Sequence, residues 1–113
     1  MKTTICKQYN FSAAHFLTGV DSTHPCSRMH GHNYIIEISV EGDVNSKTGF
    51  VIDFHDLDAI VKPFIAALDH RVLNDLIPNP TAELIAEWFL SRVEMASSCT
   101  CWETPKCYAR VDR

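Results

Sequence analysis

Residues 30–41, "HGHNYIIEISVE", alternate with a period of two. His32, Tyr34, Ile36, Ile38 and Val40 fall on one side, and Asn33, Glu37, Ser39 and Glu41 on the other. Such side chains leave a strand on opposite faces, so one face is apolar and has to be buried. Residues 3–15 repeat the pattern, with Ile5, Tyr9, Phe11 and Ala13 in the parity of His15. Neighbouring strands share a face and cannot cover it themselves. The cover is supplied further on. Leu57, Ile60, Val61, Phe64 and Leu68 recur at helical spacing, as do Ile85, Trp88, Phe89 and Val93.

The punctuation between these segments predicts the order. Residues 16–29, rich in Thr, Gly, Asp, Ser and Pro, read as a loop. "GDVNSKTG" reads as a turn and "FVIDF", residues 50–54, as a third strand returning antiparallel. Asp53 can cap the first helix, with Asp56 near its positive end. Pro63 predicts a kink or local break, and the helix should stop within residues 69–74. "NDLIPNP" reads as a linker, with Asn79 as N-cap and Pro80 as first residue of the second helix. Residues 100–111 read as one final strand. The resulting order β-β-β-α-α-β is α+β, an antiparallel sheet covered by helices on one face.

A chain of 113 residues suits one domain, 1–113, with a modest core that oligomerisation would support. No apolar run approaches the ~20 residues of a membrane span. "MKTTICKQYNF" has no apolar stretch of the signal-peptide kind. The five cysteines, at 6, 26, 99, 101 and 107, are odd in number, which favours free thiols and a cytoplasmic setting over a disulfide framework. A net charge of −4 argues against nucleic-acid binding by charge alone, and an anionic substrate would need a local cationic patch.

"CSRMHGHNY", residues 26–34, carries the chemistry. His30 and His32, two apart on a strand, leave the same face and make half a zinc site. If the first two strands pair, His15 completes a three-imidazole set. Three neutral imidazoles with an open position is the catalytic zinc pattern. Spacing equally allows Cys26 as a fourth ligand, closing a structural site, or His24 as a rival ligand. An H-x-H can also be no more than two exposed or hydrogen-bonded histidines.

"FSAAH" at 11–15, "CSRMHGHNY" at 26–34, "TGFVIDF" at 48–54, "LDHRVLND" at 68–75, "NPTAE" at 79–83 and "WET" at 102–104 occur in this order. Together they resemble the 6-pyruvoyl-tetrahydropterin synthase family, and the C-x-x-x-H-G-H spacing is most similar to its bacterial 6-carboxytetrahydropterin synthase branch. The resemblance implies the tunnelling fold, a four-stranded antiparallel sheet with two helices on one face. It implies His15, His30 and His32 as zinc ligands, with Cys26 a base and not a ligand. It implies a Cys26–His70–Asp69 proton relay with His70 from a neighbouring subunit, and a hexamer built from two trimers. Glu103 would anchor the pterin, since a carboxylate accepts two parallel hydrogen bonds from an amino group and a ring N–H. Thr81 and Glu83 match the family's T-x-E and would line the pocket, although a helix start explains both equally well. The implied substrate is 7,8-dihydroneopterin triphosphate, and the implied products are 6-carboxytetrahydropterin, acetaldehyde and triphosphate, toward queuosine. The alternatives are triphosphate elimination to 6-pyruvoyl-tetrahydropterin, or a non-catalytic zinc-stabilised assembly module. Arg28 and Lys106 are the cations nearest the site in sequence. The C-terminal "CTCWETPKCYARVDR" is richer in cysteine than the family pattern, and no chemistry follows for Cys99, Cys101 or Cys107.

Overall fold

The computed structural model describes residues 1–113. Strands β1 (Thr3–His15) and β2 (His30–Gly42) are followed by α1 (Phe54–Leu68) and α2 (Ala82–Arg92), then by β3 (Ser98–Thr104) and β4 (Cys107–Asp112). The four strands form one antiparallel sheet in the order β1-β2-β3-β4. The period-two reading holds along both strands, except that Ser39, expected on the polar side, is buried as well. Tyr9, Phe11, Ala13 and His15 are buried on β1, and Tyr34, Ile36, Ile38 and Val40 on β2. Phe11 stacks on Tyr34 with ring centroids 4.9 Å apart, and Phe89 of α2 closes over Phe11 at 6.3 Å. Leu57, Val61 and Leu68 of α1 and Ile85, Ala86, Phe89 and Leu90 of α2 complete the buried layer. Asp58 of α1 accepts from Lys7 and from the Tyr9 hydroxyl, both at 2.8 Å, which ties the helix to β1.

The expected four-stranded sheet with two helices is present, but the order is β-β-α-α-β-β. Residues 50–54 form no strand. Both edges of β2 are already taken, by β1 and β3, so no position beside it is left. The segment instead closes a turn, with Asn45 N–H on the Phe50 carbonyl at 2.8 Å and Gly49 at φ 79°. Val51 and Ile52 pack against the core, and Asp53 caps α1 by accepting from His55 N–H. The missing strand comes from the C-terminal segment, which is a hairpin and not one strand. Pro105 has no N–H for the ladder, and the chain turns there, with Thr104 Oγ1 accepting from Lys106 N–H at 3.2 Å.

Two further expectations shift. α1 runs unbroken through Pro63. Ala59, whose carbonyl Pro63 cannot bond, is exposed, so water reaches the freed group. The N-cap of α2 is Thr81, whose hydroxyl accepts from Leu84 N–H at 3.2 Å. Asn79 instead accepts from Thr18 N–H at 3.1 Å, which holds the loop after β1. No helix is long and apolar enough to cross a membrane. Thr81→Ala is expected to destabilise the fold by about 1 kcal/mol with metal binding unchanged, read from urea unfolding and metal content of the same preparations.

Candidate metal centre and active site

The pairing register builds the site. His15 lies opposite His30, and Ala13 opposite His32, at the last rungs of the β1–β2 ladder. Opposed residues share a face, so all three imidazoles stand at one end of the core layer. Their ring centroids are 4.5, 5.1 and 5.0 Å apart, all edge-on. Their ligand nitrogens lie within 4.8 Å of one another. His15 Nδ1 is 2.7 Å from the Pro80 carbonyl, and His30 Nδ1 is 2.7 Å from that of Arg28. A carbonyl only accepts, so both Nδ1 atoms carry hydrogen. In neutral rings each Nε2 then presents a lone pair. These two Nε2 atoms face each other at 2.9 Å. Two lone pairs at that distance repel unless a cation lies between them. His32 Nε2 is buried with no partner in the chain, a costly arrangement for a polar atom. Burial also holds the His15 and His32 imidazoles below their ordinary pKa, which keeps them neutral. The group therefore fits a metal ion, with backbone carbonyls fixing the tautomer of two ligands.

Glu103 stands beside this cluster, its Oε2 4.0 Å from His32 Nε2. Tyr34 forms the wall between cluster and core, its ring 5.9 Å from that of His15 and 5.4 Å from that of His32. Its hydroxyl is fully buried and unpartnered. The parity of His32 identifies Tyr34 as a neighbour of the site, a consequence the motif reading alone passes over.

Cys26 lies in a short 3-10 turn, Pro25–Ser27, and is half-buried. Its N–H donates to His24 Nδ1 at 3.0 Å, and its carbonyl accepts from Leu17 N–H at 2.8 Å. His24 is thus a turn cap. Neither residue belongs to the three-imidazole group, so the closed four-ligand arrangement is not formed.

Asp69 and His70 come together at the other side of β1. Asp69 is the C-cap of α1. Its Oδ1 accepts from Ser12 N–H at 3.0 Å and lies 3.0 Å from His70 Nδ1. The Ser12 bond first, then His70, holds this carboxyl below the usual range, so it is ionised at neutral pH. His70 adopts φ 59° and donates its N–H to the Ser12 carbonyl at 2.6 Å. Its ring is 81% exposed, and no hydrogen bond joins it to Cys26 or to the imidazoles. Ser12 and Ala14 have the parity opposite to Ala13 and His15. Residues 69–72 therefore run along the outer edge of β1, next to a recess whose walls include Ser12, Ala14, Gly31, Asn33, His70 and Arg71. Thr81 and Glu83 serve the start of α2, as cap and first-turn acid. Lys106 sits in the β3–β4 turn.

The chain matches the model of the family described as 6-pyruvoyl tetrahydropterin synthase over residues 4–113. It belongs to that family. It is 38% identical over 93 residues to the dihydroneopterin monophosphate aldolase of Pyrococcus furiosus, covering 82% of this chain and 76% of the relative. It is 32% identical over 132 residues to the 6-carboxy-5,6,7,8-tetrahydropterin synthase of Haemophilus influenzae, covering 89% and 92%. The fold is shared with 6-pyruvoyl tetrahydropterin synthase of Caenorhabditis elegans, at TM-score 0.91 and 23% identity over 100% of this chain and 96% of the other. The tunnelling-fold architecture thus holds with the corrected order.

His30→Ala and His32→Ala are each expected to lose bound metal while retaining the far-ultraviolet circular dichroism of the wild type. Elemental analysis after gel filtration checks this, and unchanged metal content in both variants refutes the ligand set.

Proposed function

We propose that this protein is a 6-carboxy-5,6,7,8-tetrahydropterin synthase, with zinc as the metal of the three imidazoles. Its substrates would be 7,8-dihydroneopterin triphosphate and water, and its products 6-carboxytetrahydropterin, acetaldehyde and triphosphate, a step toward queuosine. The observation that carries the reading is the donor set, two opposed Nε2 lone pairs and the unpartnered His32 Nε2 beside the Glu103 carboxylate. The choice of product follows the Haemophilus influenzae relative.

Zinc bound there would act as a Lewis acid toward the oxygens of the substrate side chain. The protein's own groups supply the rest. The Pro80 and Arg28 carbonyls hold the His15 and His30 rings so that both Nε2 lone pairs converge. Glu103 accepts two parallel hydrogen bonds from the pterin amino group and ring N–H, which fixes the ring and leaves the side chain over the imidazoles. Cys26 takes a proton from the side-chain carbon, for which its thiol must first become thiolate beside a cation. His70 carries protons to and from that thiol. The Asp69 carboxylate, 3.0 Å from Nδ1, holds the His70 tautomer.

Within one chain no hydrogen bond joins the His70 ring to Cys26, and its one charged neighbour is Asp69. We assign His70 to the site of a neighbouring subunit, in a hexamer of two trimers. The edge of β4 and the part of the β1 edge that precedes Ser12 fit such an assembly, because pairing edges in a ring closes them. Refolding Cys26→Ala protein together with His70→Ala protein is expected to recover activity that neither has alone. Mixed oligomers that form and stay inactive count against a shared site.

A second reading is favoured by the 38% identical relative from Pyrococcus furiosus. The same base and anchor suit a retro-aldol cleavage of the pterin side chain, which leaves a hydroxymethyl group. Mass analysis of products from dihydroneopterin triphosphate, and separately from its monophosphate, separates the readings. Acetaldehyde with a carboxypterin is the expected result. An intact three-carbon chain marks the pyruvoyl synthase, a hydroxymethylpterin marks the aldolase, and no product at all leaves the assembly module. Cys26→Ala is expected to keep its metal and lose turnover at least a hundredfold, in line with removal of a general base.

A further inference from the structure

Six of the ten Lys and Arg side chains are engaged within the chain. Lys2, Lys7, Lys62 and Arg110 pair with carboxylates. Arg92 and Arg113 sit on backbone carbonyls at the end of α2. That leaves four, namely Arg28, Lys47, Arg71 and Lys106. Of these four only Arg71 lines any of the three recesses of the molecule. Its recess has a volume of about 460 Å³, within the roughly 300–1,000 Å³ of small-molecule sites.

The other walls suit an anion. No carboxylate lines this recess. The nearby Asp69 carboxylate is taken up by Ser12 N–H and the His70 ring. Ser12 Oγ donates to Asn33 Oδ1 at 2.7 Å, so the Asn33 amide presents its NH2 with no partner in the chain. Gly31 has no side chain to fill the floor. The backbone of Arg71 is pinned to β1, with Ala14 N–H on the Arg71 carbonyl at 3.0 Å and a bridge between Ala14 and Val72. The guanidinium therefore stands on a fixed base, one residue from His70.

We propose that Arg71 and the Asn33 amide form the subsite for the phosphate chain of the substrate. This rests on the reading of the substrate as a phosphorylated pterin. In such a molecule the phosphates hang from the side chain whose carbons lose and gain protons. An anion anchor adjoining His70 thus places those carbons beside the proton carrier in the site that His70 serves. Arg28 and Lys106, the cations nearest the motifs in sequence, line no recess. A guanidinium also binds phosphate oxygens through two parallel N–H donors, which a lysine cannot.

The probe is inorganic tripolyphosphate, titrated calorimetrically into the zinc-loaded protein. Wild type is expected to bind it saturably, more weakly as salt is raised. Arg71→Gln should weaken binding at least tenfold, Arg71→Lys by less, and Lys47→Gln not at all. Absence of saturable binding to wild type overturns the subsite, as does undiminished binding in Arg71→Gln. Loss in Arg28→Gln or Lys106→Gln in place of Arg71→Gln also overturns it. The subsite and the reaction fail separately. Tripolyphosphate binding lost with Arg71 in a protein that yields no pterin product refutes the reaction alone. A carboxypterin product with KM unmoved in Arg71→Gln refutes the subsite alone.

Discussion

Everything in the site hangs on one register between β1 and β2, thirteen rungs from Thr3 opposite Gly42 to His15 opposite His30. Strand side chains alternate, so a slip of one residue would carry every inward group to the other face. It would expose Phe11 and Tyr34, and separate the imidazoles. The stacked Phe11–Tyr34 pair and the isoleucines of β2 make such a slip very costly, since full burial of each large apolar side chain contributes roughly 1.5–3 kcal/mol. The hydrophobic core thereby sets the geometry of the ligands. The three histidines need no local turn or loop to bring them together, because the ladder that buries the core aligns them at its end.

The end of that ladder is held by the segment between the helices. Asn74 bonds both the N–H and the carbonyl of Phe16, at 3.0 and 2.8 Å. Asn79 holds Thr18 N–H, and the Pro80 carbonyl receives the His15 ring. "LNDLIPNP" is therefore more than a connector. Its two asparagines clamp the chain as it leaves β1, and the carbonyl of its last residue fixes a ligand tautomer. Outer partners of this kind raise ligand basicity and restrict ring rotation.

What the sequence discloses follows from where the signals are periodic. The alternation in 30–41, with its histidines in register, discloses the face, the sheet and the clustering of the three imidazoles. The helical spacing of Leu57 to Leu68 discloses α1. "FVIDF" misleads because a short apolar run has the composition of a strand, and nothing local says that both edges of β2 are occupied by segments far away in the chain. The hairpin at Pro105 escapes because "WETPKCY" lacks the Asn-Gly or Asp-Gly that marks two-residue turns. Thr81 and Asn79 exchange roles because both residue types cap helices, and only the tertiary demand of Thr18 N–H draws Asn79 away. Arg71 is one exposed cation among several in the sequence. It becomes distinct only when the partners of the others are known.

His70 shows how differently the core side and the outer edge of β1 are used. Its φ of 59° lies in the left-handed region, which costs a residue with a Cβ on the order of 1 kcal/mol. The conformation lets the chain stop α1 at Leu68 and turn at once to run beside β1. Asp69 steadies the turn by accepting Ser12 N–H, and His70 N–H returns a bond to the Ser12 carbonyl. Both bonds use backbone groups on the outer edge of β1, while the side chains of Ala13 and His15 point to the core. Imidazoles inward and the Asp69–His70 pair at the edge follow from the alternation of a single strand. The turn leaves the His70 ring 81% exposed, with Asp69 as its one charged neighbour.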